Sequence, residues 1–333
     1  MSCPELVVML THNDVTVKNS KEIFLEAKDA PCGYWGFKEV GLPPEEMKDL
    51  VRCMKDAGKT TFMEIVAKTE EDCSKAVKLG IESGFDAILG TVYYDSILEM
   101  VKEHHITYFP FIGERYTESI RGTIEELKEE AACLAEKDGV TGINVAAYRY
   151  DGNVEELLTA ISDTVKKVNK PLSIVGSINS YERLDMVKKF NPRTYTIGGA
   201  FFENKFGETF SEQIETVQNF LMQFQSDLFG QPISRNCHPE ISAYGAACVA
   251  AVHIGLWTRE QIQNAARDTQ LYIPRMPDRI RNKYITEWKN VTQPNQPDLK
   301  QELKYRGGGN PSVKPGSAPA SGQKSPACKS MAE

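Results

Sequence analysis

The sequence predicts an α/β fold: a (β/α)8 TIM barrel, followed by a helical segment and a disordered tail. Three observations predict it. Eight short apolar runs alternate with amphipathic helical stretches at steady spacing. Most of the runs are continuously apolar, as parallel strands covered on both faces must be. The last two end in glycine-bearing steps, Gly176-Ser177 and Gly198-Gly199, where the loops after strands seven and eight of such a barrel commonly form a phosphate site. With 333 residues, a barrel of about 200–250 residues leaves roughly 100 for an appendage.

The strands are expected at 6–10, 34–40, 61–66, 87–92, 108–112, 142–147, 172–178 and 195–201. Helix starts carry their own signals. Pro43-Pro44-Glu45-Glu46 precedes a helix over 47–57, Thr69-Glu70-Glu71-Asp72 one over 73–81, and Thr123-Ile124-Glu125-Glu126 one over 127–135. Gly58, Gly84 and Gly139 stand where C-caps belong. The repeat ends near Phe224. Residues 241–255 are then rich in Ser, Ala and Gly at helix period, and 259–267 and 277–289 read as two further helices. From Val291 the chain is dominated by Pro, Gly, Ser and Lys and cannot bury a core. The expected division is a barrel over 1–218, a helical segment over 219–290 and a disordered tail over 291–333.

A net charge of −7 with no basic run speaks against a nucleic-acid surface. It leaves room for local phosphate binding, because backbone dipoles do not enter the net charge. Eight cysteines without a C-x-x-C pair read as reduced thiols in a cytoplasmic protein. The five histidines do not pair at metal spacing, so neither a metal nor a cofactor is expected. No stretch approaches the ~20 apolar residues of a membrane span, and the N-terminus lacks a basic region before its apolar run.

Polar residues at strand C-termini converge on a barrel's open mouth. Here they are Asp14, Lys38, Glu64, Thr91, Glu114, Asn144 and Arg149. In Gly36-Phe37-Lys38-Glu39-Val40, alternation puts Lys38 on one face and Phe37 and Glu39 on the other. A lysine on the inner face is costly unless paired or functional. It would serve as a Schiff-base amine, a general acid, or an electrophile stabilising an enolate. A one-residue shift of register would instead leave it between strand and helix. Glu64, in Phe62-Met63-Glu64-Ile65-Val66, is an inward carboxylate near Lys38, either an acid–base group or that lysine's counter-charge. Asp14 is the third expected catalytic residue, in the polar quartet with His12. Gly176, Ser177, Gly198 and Gly199 are expected to bind phosphate, though tight helix–strand packing also selects glycine. Glu114 would grip substrate hydroxyls or phosphate, Asn144 would make an inward hydrogen bond to the substrate, and Arg149 would clamp the phosphate, with a solvated loop position the alternative for Arg149.

These features give residues 1–215 a resemblance to the ribulose-phosphate-binding, aldolase-type barrels. The resemblance implies a small phosphorylated sugar or sugar acid as partner, and aldol cleavage, decarboxylation or epimerisation through an enolate-like intermediate: a lyase or isomerase of carbohydrate metabolism. Strand six lacks the lysine that Schiff-base aldolases of this type commonly place there, which lowers that chemistry unless Lys38 substitutes.

A second resemblance is narrower. Leu221-Met222-Gln223-Phe224-Gln225-Ser226-Asp227, Gly230, Glu240-Ile241-Ser242-Ala243-Tyr244-Gly245-Ala246-Ala247, Gly255-Leu256-Trp257 and Tyr284-x-x-x-Trp288-Lys289 resemble the C-terminal end of glycerol kinase, in the FGGY carbohydrate kinases. The family's phosphate-gripping Asp-Gly-Thr loop, glycerol site and catalytic aspartate have no counterpart upstream. A kinase-related protein without kinase activity is therefore the alternative. A non-catalytic binding or assembly protein, homo-oligomeric through these helices, is the third.

Overall fold

The computed structural model describes residues 4–113, 119–236, 248–258 and 269–292. Eight parallel strands form one sheet: β1 (Glu5–Met9), β2 (Tyr34–Lys38), β3 (Thr60–Glu64), β4 (Ala87–Leu89), β5 (Thr107–Phe109), β6 (Ile143–Val145), β7 (Leu172–Ile174) and β8 (Thr194–Ile197). Their spatial order is β5-β4-β3-β2-β1-β8-β7-β6. Curling brings β5 to β6, where the parallel bridge Phe111–Asn144 spans the seam. There Thr141 N donates to Tyr108 O at 2.8 Å and Asn144 N to Pro110 O at 2.9 Å. The barrel is nearly closed, as expected.

Helices α1 (Ser20–Ala27), α2 (Pro44–Asp56), α3 (Glu70–Ser83), α4 (Asp95–Glu103), α5 (Ile124–Glu136), α6 (Val154–Lys167) and α7 (Tyr181–Phe190) alternate with the strands, followed by the short α8 (Gly199–Phe202) and α9 (Phe210–Phe229). Their starts follow the local chemistry. Thr123 and Glu126 close a full capping box on α5, Thr69 caps α3, and Asn153, Ser180 and Thr209 cap α6, α7 and α9. Gly84 ends α3 at φ +83°, a backbone that residues with a Cβ adopt at a cost.

Register fixes the inner face. Met9, Gly36, Phe62, Ala87 and Thr107 form one row across five strands, and Lys38, Glu64, Leu89 and Phe109 the next row toward the strand C-termini. Phe37 and Trp35 alternate outward, where Trp35 packs edge-on against Phe24 of α1 at 5.1 Å. A Cβ at Gly36 would lie 2.5 Å from Phe62 O, so that position accepts only glycine while β2 and β3 hold this register.

Several strands stop short of their apolar runs. β7 ends at Ile174 because Gly176 and Ser177 turn left-handed (φ +77° and +57°), and β8 ends at Ile197 because Gly199 opens α8. Val175, Ile178 and Phe201 remain buried beyond the ladder. Their apolarity serves packing, which strand patterning cannot distinguish from pairing.

After Phe229 the chain forms a two-stranded antiparallel ribbon, β9 (Ile233–Asn236) with β10 (Thr269–Tyr272), and then α10 (Asp278–Thr292). The expectation of a purely helical segment missed this ribbon, whose four-residue strands are too short for a period to declare itself. The segment is fastened to the end of α9. Ser226 Oγ donates to Tyr272 O at 2.7 Å, Gln223 Nε2 donates to Ile273 O at 2.9 Å, and Phe224 packs on Tyr284 at 5.5 Å. Position 219, the expected start of the segment, and Leu221, where the second resemblance begins, therefore both fall inside a continuous helix. The helix at 277–289 corresponds to α10. Residues 241–247 of one expected helix, the helix at 259–267 and the tail from 293 lie outside the described residues.

Cys32, Cys53, Cys73 and Cys248 are free thiols, and burial pushes Cys32 and Cys73 up to about 11. Cys133 is disulfide-bonded, against the expectation of reduced thiols throughout, since missing local pairs say nothing about distant ones. Among the described residues, no helix is long and apolar enough to cross a membrane.

Candidate active site

A cavity of about 200 Å³ opens at the C-terminal end of the strands, and Asp14, Lys38, Glu64, Arg149, Gly176, Ser177, Gly198 and Gly199 all line it. The structure thus brings together eight of the ten residues expected from sequence. Asn144 lies deeper, one inward position before Ala146, which does line the cavity. Glu114 lies outside the described residues.

Asp14 reaches the mouth through a local device. A short hairpin, Thr11–His12 paired with Val15–Thr16, is closed by Asn13 and Asp14 at φ +50° and +61°. Asn and Asp tolerate this left-handed pair, which matches the twist of a two-residue hairpin. Thr16 pins the hairpin to β2: its Oγ1 accepts from Lys38 N at 3.0 Å and donates to Lys38 O at 2.9 Å. The Asp14 carboxylate is thereby delivered onto the Lys38 side chain.

Lys38 is 3% exposed, and it is not stranded between strand and helix. Its Nζ sits 2.6 Å from Asp14 Oδ1 and 3.8 Å from Glu64 Oε1. Glu64 is the residue opposite it in the ladder. Arg149, at the end of the 3-10 turn Ala147–Arg149 after β6, donates from Nη2 to Asp14 Oδ1 at 2.9 Å and Oδ2 at 3.2 Å. Two cations and two carboxylates therefore alternate across the mouth. Burial would raise the Asp14 carboxyl, but the hydrogen bonds from Lys38 and Arg149, with their charges, outweigh it and bring it down to about 2.

That shift has a stability consequence. A carboxylate whose folded pKa is depressed stabilises the fold above its unfolded pKa and loses the contribution as pH falls toward the folded value. The window here runs from the ordinary 3.8 down to about 2. Asp14 is half-exposed, so solvent screening reduces the effect to about 1 kcal/mol. Urea unfolding from pH 5 to pH 2 is expected to show wild type losing about that much more stability than Asp14→Asn, which keeps the turn. Parallel loss in the two proteins contradicts the pairing.

The four residues of the glycine turns divide into two kinds. A Cβ on Gly198 would lie 2.9 Å from Thr11 O and 3.1 Å from Met9 Cβ, so this glycine admits the close approach of β8 to the exit of β1. A Cβ on Gly199 would meet only His12 Cδ2, at 3.7 Å. Gly176 donates to Thr196 Oγ1 at 3.3 Å, and Arg149 Nε lies 3.6 Å from the place of its absent Cβ. The face bounded by Gly176, Gly199 and Arg149 is therefore available to a ligand. The first amides of α8 have no acceptor within their own helix.

Asn144 is fully buried, and neither polar atom of its side chain has a hydrogen-bond partner. Thr91 shares a 3.1 Å hydrogen bond with the Tyr108 hydroxyl and is buried away from the mouth. His12 stacks on Phe202 at 5.3 Å and lines the cavity. Sequence reasoning missed Asn179 and Glu203, which also line it. Neither carries a local signal, since a polar residue past a glycine turn is ordinary. Among the described residues, no three His, Cys, Asp or Glu side chains gather as a metal site would require.

No family model matches the chain. Over 77 residues it is 38% identical to a glycerol kinase from Aquifex aeolicus, a match covering 22% of this chain and 16% of that protein. Over 153 residues it is 26% identical to the glycerol kinase of Arabidopsis thaliana, covering 45% and 25%. The chain thus spans a quarter or less of these curated relatives. Among solved structures, orotidine 5'-phosphate decarboxylase from Pyrococcus horikoshii superposes with a TM-score of 0.50 at 14% identity, covering 65% of this chain and 98% of that one. The likeness is one of fold, a (β/α)8 TIM barrel. The chain also bears a short stretch similar to glycerol kinase.

Proposed function

We propose that the barrel is an enzyme acting on a small phosphorylated sugar or sugar acid through an enolate-like intermediate. One observation carries the reading: a buried lysine held between two carboxylates, in a cavity whose opposite wall is built from two glycine turns and an arginine. The phosphate would lie on Gly176, Ser177, Gly199 and Arg149. The Lys38 ammonium would face the substrate carbonyl oxygen, where charge develops as an enolate forms. Glu64 would take or return the proton on the adjacent carbon. Asp14, ionised across the physiological range, would orient Lys38. Aldol cleavage, decarboxylation and epimerisation share this intermediate, and products from a panel of phosphorylated ketoses and sugar-acid phosphates would choose among them. We assign residues 1–218 to this barrel, 219–290 to an appendage and 291–333 to a tail, in a soluble cytoplasmic protein. Size in solution tests whether the appendage pairs two copies.

The second reading rests on the 38% identity to glycerol kinase. Phosphoryl transfer needs positioned phosphates, a metal and a base, and a stretch amounting to 16% of that enzyme does not supply them. An assay with ATP, magnesium and glycerol is expected to show no turnover above background. Robust glycerol 3-phosphate formation contradicts the barrel reading.

A further inference from the structure

Gly176 and Ser177 adopt left-handed conformations in succession (φ +77° and +57°). Glycine enters that region freely, but a serine does not, so something in the fold must hold the second residue there. A side-chain hydrogen bond reaches its carbonyl. Arg183, in the first turn of α7, donates from Nη1 to Ser177 O. Its guanidinium lies over the ring of Tyr148 at 4.4 Å, and the Tyr148 hydroxyl donates back to Arg183 O at 3.2 Å. Tyr148 belongs to the same 3-10 turn, Ala147–Arg149, that presents Arg149 to the cavity.

We propose that Arg183 is a positioning residue that locks the Gly176–Ser177 turn and, through Tyr148, ties it to the turn carrying Arg149. Two walls of the cavity, after β6 and after β7, are then held in one geometry by a residue that is not itself among those lining it. An arginine suits the task better than a lysine because its planar head can stack on a ring and donate in its own plane at once. What the turn is held for rests on the phosphate reading above; that it is held does not.

The full-length protein is compared with Arg183→Met, which keeps the aliphatic stem over Tyr148 but removes the donor, and with Arg183→Lys, which restores a donor. Amide hydrogen exchange is followed by mass spectrometry. Arg183→Met is expected to speed exchange over residues 176–178 at least tenfold while α7 exchanges as in wild type. Arg183→Lys is expected to recover part of the protection. Wild-type exchange at 176–178 in Arg183→Met overturns the proposal. Equal acceleration along the whole of α7 also overturns it, because the residue would then merely stabilise its helix. A titration with inorganic phosphate separates the two readings. At least tenfold weaker binding in Arg183→Met supports both, and unchanged affinity beside faster exchange at 176–178 contradicts the phosphate assignment of the turn alone. Failure of wild type to bind phosphate contradicts the ligand assignment alone, and the exchange result then decides the role of Arg183.

Discussion

Replacing Lys38 by methionine is expected to abolish turnover and to lower stability by about 3 kcal/mol. The substitution keeps the stem that fills the inner face and removes the charge between Asp14 and Glu64. Two carboxylates then face each other across a partly dry mouth with no cation between them. For a domain of this size the melting temperature should fall by roughly 6–12 °C. Glu64→Gln alone is milder, about 1 kcal/mol, because Lys38 keeps its short contact with Asp14. The double variant is expected to be more stable than the sum of the singles by about 1 kcal/mol or more. Denaturant unfolding of the four proteins measures the coupling. Strict additivity means that Lys38 and Glu64 do not form a pair.

The second large effect separates two neighbouring glycines. Gly199→Val is expected to fold normally, because a Cβ there meets only His12 at 3.7 Å, yet to weaken binding of phosphorylated ligands at least tenfold, about 1.4 kcal/mol. The added methyls occupy the face on which the anion would lie. Gly198→Val is expected to lose stability instead, by about 2 kcal/mol. Its side chain would press on Thr11 O and Met9 from 2.9 and 3.1 Å. Calorimetric binding and thermal melts on both variants distinguish the two outcomes. Identical behaviour of the two variants contradicts the division of the turn into a packing glycine and a ligand-facing one.

The barrel was legible because buried parallel strands write continuous apolar runs, and because the caps Thr69 and Thr123 carry local signals. Lys38 and Glu64 were legible for a related reason. A charged residue at an inward position of such a run conflicts with burial, and period-two alternation assigns its face without further information. Asp14 was legible only as a polar loop residue. Its role depends on a two-residue turn and on a contact with Arg149, 135 positions away in sequence. Asn144 shows the opposite limit. Its inward face was readable, but its depth was not, since one inward step along a strand is about 6.6 Å and separates the cavity floor from the closed interior. The ribbon of β9 and β10 likewise pairs distant segments, which no local pattern announces.

Proton exchange at carbon tests the central claim most directly. The full-length protein is incubated in deuterium oxide with phosphorylated ketoses and sugar-acid phosphates, and the carbon-bound hydrogens beside the carbonyl are followed by NMR. Wild type is expected to wash deuterium into that position of at least one of them, and Lys38→Met and Glu64→Gln are expected not to. A phosphorylated sugar that binds in the cavity without any exchange, or exchange that survives both substitutions, contradicts the assignment of Lys38 and Glu64 to enolate chemistry.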